Sequence, residues 1–160
     1  MEELCRRSAT ALLLAVAIAP VFPEPAAAQS ADADAVRAAN TAYYGAFAAL
    51  DIAGMEALWV TSPTATAIHP FSRTPLVGWE AVRSSYVETF SRFKDVSVSG
   101  NPSLVTVSEG TAWVVSTETL RGHRPNGEAF TAVSMSTNIF QKQGERWMMV
   151  LHHAAAVPRQ

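Results

Sequence analysis

A protein that lacks a bound cofactor moves protons with histidine, carboxylate and tyrosine side chains. Four such residues stand out in this sequence: His153, Glu118, Tyr43 and His69. Trp147, Met149, Leu151 and His153 alternate along a segment rich in strand-forming residues, so a regular strand puts all four on one side. Three of them are large and apolar. That side is expected to face the interior, with His153 in an internal cavity, where an imidazole can take or give a proton near neutral pH. The alternative for His153 is an edge position paired with a backbone carbonyl. By the same alternation His152 points away, to solvent or to a second copy of the chain.

Glu118 shares a strand side with Val114 and Ser116. Facing an apolar cavity, its carboxyl would have a raised pKa and could serve as acid or base. Facing outward, it would be a solvated or interface residue with a cross-strand partner. Tyr43 falls on the apolar stripe of a helix, from which its hydroxyl could reach a cavity. His69 ends a short strand before Pro70, where a loop could form the cavity mouth. Asn138, Trp59, Trp113 and Met149 complete the expected ligand-contacting set, and Asn138 could equally sit outside. No metal site is expected, because the histidines lack ligand spacing such as His-x-His or His-x-x-x-His and adjacent histidines on a strand diverge. Glycine-rich phosphate loops, a nucleophile elbow and a Cys–His pair are absent, which argues against nucleotide hydrolysis, serine esterase and thiol chemistry. No cofactor is expected.

The elements that must position these residues follow from periodicity. Val36, Tyr43, Phe47 and Leu50 recur at helical spacing over Asp32 to Leu50, with Asp32 and Asp34 suited to the positive helix start. Asp51 can cap a second short helix bearing Ile52, Met55, Leu58 and Trp59, which Ser62-Pro63 ends. Thr64 to His69 reads as a short strand and Leu76-Val77 as another. Gly78 opens a third helix through about Phe93, with Val82, Tyr86, Phe90 and Phe93 on its buried side. Beyond Lys94 the period becomes two. Strands are expected over Val96 to Val107 with a bulge or bend at Pro102, Thr111 to Arg121, Phe130 to Gln141 and Trp147 to Ala154. Asn126-Gly127 marks a hairpin. Helices followed by an antiparallel meander indicate an α+β domain with the helices on one sheet face.

The chain has 160 residues, 12 Lys+Arg against 14 Asp+Glu, and 49% apolar residues. That suits one domain with a real core and leaves no basic footprint for nucleic acid. Charged residues make up only 16%, below the usual quarter. The single Cys excludes a disulfide framework. Arg6-Arg7, an apolar run from Ala9 to Ala19, three prolines and Ala26-Ala27-Ala28 have the order of a secretory signal. Cleavage is expected after Ala28, leaving residues 29–160 as one domain of a bacterial periplasmic or secreted protein. The run is too short to span a membrane, so no membrane association is expected after cleavage.

Several pieces of the sequence resemble the SnoaL-like branch of the nuclear transport factor 2-like superfamily. They are Asp51 to Leu58 after an aromatic-rich first helix, His69-Pro70 at a strand end, Leu76-Val77-Gly78-Trp79-Glu80-Ala81-Val82, Thr111-Ala112-Trp113-Val114, and the ending Gly144-Glu145-Arg146-Trp147-Met148-Met149-Val150-Leu151-His152-His153-Ala154-Ala155. The likeness covers roughly Asp32 to Ala155. It implies a cone, in which a strongly curved antiparallel sheet wraps around about three N-terminal helices and encloses an apolar cavity, and it implies frequent homodimers. In ketosteroid isomerases, which share this fold, a first-helix tyrosine donates to an oxyanion, and Tyr43 matches it in position only. Two departures concern the sheet. Ala155 stands where relatives often have Ser, and no Arg lies near Met135, so a ligand requiring that Arg is not implied. The resemblance implies binding of a small lipophilic molecule, with acid–base chemistry of isomerase, cyclase or hydratase type. The alternatives are a ligand-sequestering module and a homo-oligomeric scaffold.

Overall fold

The helical spacing up to about Phe93 and the period of two beyond Lys94 appear as three helices followed by a long meander in a computed structural model, which describes residues 26–158. The expected signal segment before Ala26 and the last two residues of the tail lie outside the described residues. Helix α1 spans Ala26–Ala48, α2 Ile52–Leu58 and α3 Trp79–Phe90. Strands β1 (Thr66–Ile68) and β2 (Leu76–Val77) come between α2 and α3. The meander is β3 (Asp95–Ser108), β4 (Thr111–His123), β5 (Ala129–Gln143) and β6 (Arg146–Ala156).

Helix α1 starts earlier than Asp32, and its first turn holds no acidic residue. Asp32 is used differently. It accepts from Lys142 Nζ at 2.7 Å and Trp147 Nε1 at 3.2 Å, fastening the helix to the far end of the sheet. Asp51 occupies the position before α2, yet its side chain makes no capping hydrogen bond. The Asn126-Gly127 turn is a three-residue loop. Gly127 N–H donates to Arg124 O at 2.9 Å, and Gly127 takes a positive φ of 85° that favours glycine.

One six-stranded sheet runs in the order β2-β1-β6-β5-β4-β3. All neighbours are antiparallel except β1 and β6, which run parallel, so the sheet is mixed. It is curved and unclosed, and α1 packs on its inner face against β3, β4 and β6. Two irregularities set the curvature. One extra residue interrupts β3 between Pro102 and Leu104, where the proline predicts a bulge. A second, at Val150, interrupts β6, because Phe140 pairs with Met149 while Ile139 pairs with Leu151. Bulges bend the strand that carries them and exchange its faces beyond the extra residue.

The core between helices and sheet is an aromatic cluster. Phe47 meets Phe90 edge-on at 5.1 Å and Tyr86 at 6.3 Å, while Tyr43 lies 6.4 Å from Tyr86. Such pairs add about 0.5–1.5 kcal/mol each beyond the area they bury. Val36, Met55, Trp59, Val82, Phe140 and Met149 fill the layer beneath.

Gly100 couples this packing to the chemistry. It pairs across the ladder with Glu118, and the ring of Tyr44 lies where a β-carbon on residue 100 would stand. A Gly100→Ala substitution should therefore push the Tyr44 ring off the sheet and cost roughly 1–3 kcal/mol, the usual range for overpacking. Urea unfolding measures this, and an unchanged midpoint would show that Tyr44 does not rest on Gly100.

Candidate functional site

The inner face of the sheet and the aromatic face of the helices do not meet completely. They leave a pocket of about 450 Å³. Tyr43, Tyr44 and Phe47 of α1 and Phe93 beyond α3 wall one side, and Glu118, Leu120, Phe130 and His152 of the sheet wall the other. Phe93 stacks on Phe130 at 5.1 Å and 16°. His69 and Phe71 come from the segment between β1 and β2, and Phe71 is 88% exposed at the opening. Residues of this kind favour a largely apolar ligand held by a few polar groups.

The bulge at Val150 decides which histidine belongs to the pocket. Trp147 and Met149 are buried before it, and His152 and Ala154 are buried after it. His152 is 3% exposed and lines the pocket, whereas His153 is exposed on the outer face. The expected orientation of the two histidines is thus reversed, because the extra residue shifts the alternation by one.

His152 Nδ1 lies 2.7 Å from Asn138 Oδ1, and Asn138 Nδ2 donates to Asn40 Oδ1 at 2.7 Å. All three side chains are buried. Burial, and then the neighbouring His153, lowers the His152 pKa to about 4. Burial, and then His152, likewise lowers His69 to about 4. Their rings stand 5.8 Å apart, and His69 Nε2 lies 3.0 Å from Ser85 Oγ. Both imidazoles are therefore neutral at pH 7, each with one unprotonated ring nitrogen.

Glu118, on β4, is only 5% exposed. Its Oε1 accepts from Tyr44 Oη at 3.0 Å. Burial raises its pKa, and the hydroxyls of Ser136 and Tyr44 oppose that rise. The Tyr44 bond is well formed, whereas Ser136 Oγ makes no hydrogen bond of good geometry, so Tyr44 is the principal support of the charge. Burial and then the charge of Glu118 push Tyr44 up to about 12, so it acts as a neutral donor. Tyr43 Oη is 3.2 Å from Tyr86 Oη, and burial raises both phenols far above their ordinary value.

The structure thus brings Glu118, Tyr43 and His69 to one pocket and leaves His153 out. Trp113 is also corrected. It lies on the outer sheet face, opposite the buried Ala112 and Val114, and does not line the pocket. Trp59 and Met149 are core residues, joined by a bridge in which Val60 N donates to Met149 O. Asn138 is fully buried behind His152 and touches the pocket only through it. The residues not singled out from the sequence are His152, Tyr44, Asn40 and Tyr86. Tyr44 and Asn40 stand one helical turn apart on α1, and that spacing beside Tyr43 was the available signal. Among the described residues, no group of three or more His, Cys, Asp or Glu could hold a metal ion.

The same fold recurs in solved structures. A candidate dehydratase of the NTF2-like family from Streptomyces avermitilis is 25% identical, with a TM-score of 0.75 over 82% of this chain and 99% of that one. An NTF2-like superfamily protein from Salmonella enterica is 18% identical, with a TM-score of 0.75 over 82% and 94%. A candidate calcium/calmodulin-dependent protein kinase type II association domain from Thiobacillus denitrificans is 26% identical, with a TM-score of 0.67 over 88% and 100%. Among curated proteins none matches the chain. The model of the SnoaL-like domain matches residues 36–160, which include both helices and strands of the pocket wall. With that match over most of its length, the chain belongs to the SnoaL-like domain family.

Proposed function

We propose that this protein is an exported, periplasmic SnoaL-like domain. Its pocket binds a small lipophilic molecule carrying a hydroxyl or another acidic proton, and performs acid–base chemistry without a cofactor. One observation carries the reading: a buried, neutral His152 and a buried Glu118 share one aromatic pocket. A neutral imidazole in such a site accepts a proton from the ligand. A carboxyl of raised pKa, or the phenol of Tyr43, returns one elsewhere on the same molecule. Isomerisation and dehydration both consist of such paired transfers. The Streptomyces neighbour, named as a candidate dehydratase, supports this class.

Two naphthalene probes test the binding. 2-Naphthol offers one hydroxyl to His152, and naphthalene fills the same apolar space without it. 2-Naphthol should bind about tenfold more tightly, the worth of one buried hydrogen bond to an otherwise unpaired acceptor. His152→Gln should reduce that ratio sharply, read by NMR titration. Equal affinity of the two probes for the unaltered protein would remove His152 from the ligand site. Native mass spectrometry of protein isolated from its own host would identify the natural ligand.

Neutral histidines also leave a mark on stability. The unfolded chain protonates His69 and His152 near pH 6.5, but the folded protein does so only near pH 4. Between these values the unfolded state binds more protons, so stability falls as pH falls, by up to ~3 kcal/mol for the fully buried His152. Glu118 has a raised pKa and acts in the opposite sense, losing stability as pH rises above its ordinary range. The comparison of His152→Gln with the unaltered protein isolates the histidine. The variant should lose the His152 share of the decline between pH 6.5 and 4 and keep that of His69, and an equal decline in both proteins would contradict a buried neutral His152.

A scaffold reading also has a specific observation behind it. The outer sheet face exposes Leu104 (49%), opposite Val115, and Met135 (59%), opposite Thr117, on the strands that flank β4. The Thiobacillus neighbour is named as an association domain. We propose that two copies pair through this face, which leaves the pocket open. Leu104→Glu with Met135→Glu should yield a monomer in sedimentation equilibrium with 2-naphthol binding intact. An unaltered mass would place the interface elsewhere.

A further inference from the structure

The residues behind the pocket wall set the working form of His152. Asn138 is fully buried, and both ends of its amide are engaged, one by His152 and the other by Asn40. An amide presents an oxygen on one side and an NH₂ on the other, so committing one end commits the other. Asn138 gives its NH₂ to Asn40 Oδ1 and therefore turns its oxygen to His152 Nδ1. That nitrogen must carry the hydrogen of the neutral ring.

The donors run in one direction, from His152 through Asn138 to Asn40, whose Oδ1 ends the run. One turn further along α1, Tyr44 donates its hydroxyl hydrogen to Glu118 Oε1.

We propose that Asn138 and Asn40 are positioning residues that hold neutral His152 in its Nδ1–H tautomer. This deepens the acid–base reading of the pocket and rests on it for its functional meaning. His152 Nε2 makes no hydrogen bond to any described residue, although His152 is 97% buried and lines the pocket. In this tautomer Nε2 offers a lone pair. The site is then a proton acceptor, selecting ligands with an O–H or an acidic C–H over ligands that can only accept. The reverse tautomer would present a donor and invert that selectivity.

Turning both amides over would make His152 Nδ1 an acceptor and Nε2 the donor. Besides Glu118, the titratable side chains around His152 are His69 across the pocket, Tyr43 of α1 with its ring 5.4 Å away, and the adjacent His153.

Nitrogen-15 NMR of the histidine rings in the ligand-free protein at pH 7.5 reads the tautomer directly, with His152 assigned by comparison with His152→Gln. The unaltered protein should show Nδ1 protonated and Nε2 unprotonated, in excess of about tenfold. Asn138→Leu removes the acceptor and should return the ring toward the tautomer mixture of free imidazole. If that variant does not fold, Asn40→Ala serves instead. It should loosen the preference while leaving Asn138 in place. A protonated Nε2 in the unaltered protein, or an unchanged ring in folded Asn138→Leu, overturns the proposal. Because no ligand is present, failure of 2-naphthol to bind would defeat the ligand reading without touching this result. Conversely, a wrong tautomer would defeat the positioning role while leaving binding to be judged separately.

Discussion

A β-strand shows alternate residues to opposite faces, so one inserted residue exchanges every face beyond it. The pocket depends on such an insertion. Up to Met149 the last strand buries its odd-numbered residues, and after the extra residue at Val150 it buries His152 and Ala154. The bend lets the final strand follow the curve of the sheet over α1 while Trp147 stays fixed beside Asp32. Without it, the inner face would present Leu151 and His153, and Asn138 would have no imidazole opposite. The parallel pairing of β1 with the same stretch, Ile68 beside His153, then brings the following residue, His69, to the edge of the pocket.

A second constraint follows from burying so many polar groups. Asn40, Glu118, Asn138 and His152 are each removed from water, and an unpaired group of this kind costs about 1–3 kcal/mol. The fold meets that cost by joining them. Asn138 pairs with both Asn40 and His152, and Tyr44 pairs with Glu118. Among the groups that remain open on the pocket side are His152 Nε2 and the carboxyl of Glu118. A site built this way is preorganised, because its polar groups are already oriented before a ligand arrives.

Much of the architecture was legible because its signals are local. The three helices, the short strands around His69 and Leu76, and the four long strands follow from apolar spacing. Pro102 announced the first bulge because proline cannot continue a regular ladder. Val150 announced nothing. Trp147, Met149, Leu151 and His153 make an unbroken apolar alternation, and the regular reading was the simpler one. That alternation favours His153 over His152, and the expectation of Trp113 inside runs against Ala112 and Val114, which take the inner positions. The Asn40–Asn138 pair joins residues 98 positions apart, and nothing in local spacing reveals a contact of that range.

The two faces of the sheet differ in character, and the difference follows from the same parity. Inner positions of β4 run Ala112, Val114, Ser116, Glu118, Leu120, passing from core to pocket as the residues become polar. Outer positions keep Trp113 and Val115 beside Leu104, which accounts for the low charge content better than the pocket alone does. An apolar outer face is covered most simply by a second copy, since a twofold axis presents the same patch twice. Pairing there would stiffen β4 and β5, the strands that carry Glu118 and Asn138, without closing the opening beside Phe71. Assembly and chemistry can then be served by opposite sides of the same strands, and a change on one side need not disturb the other.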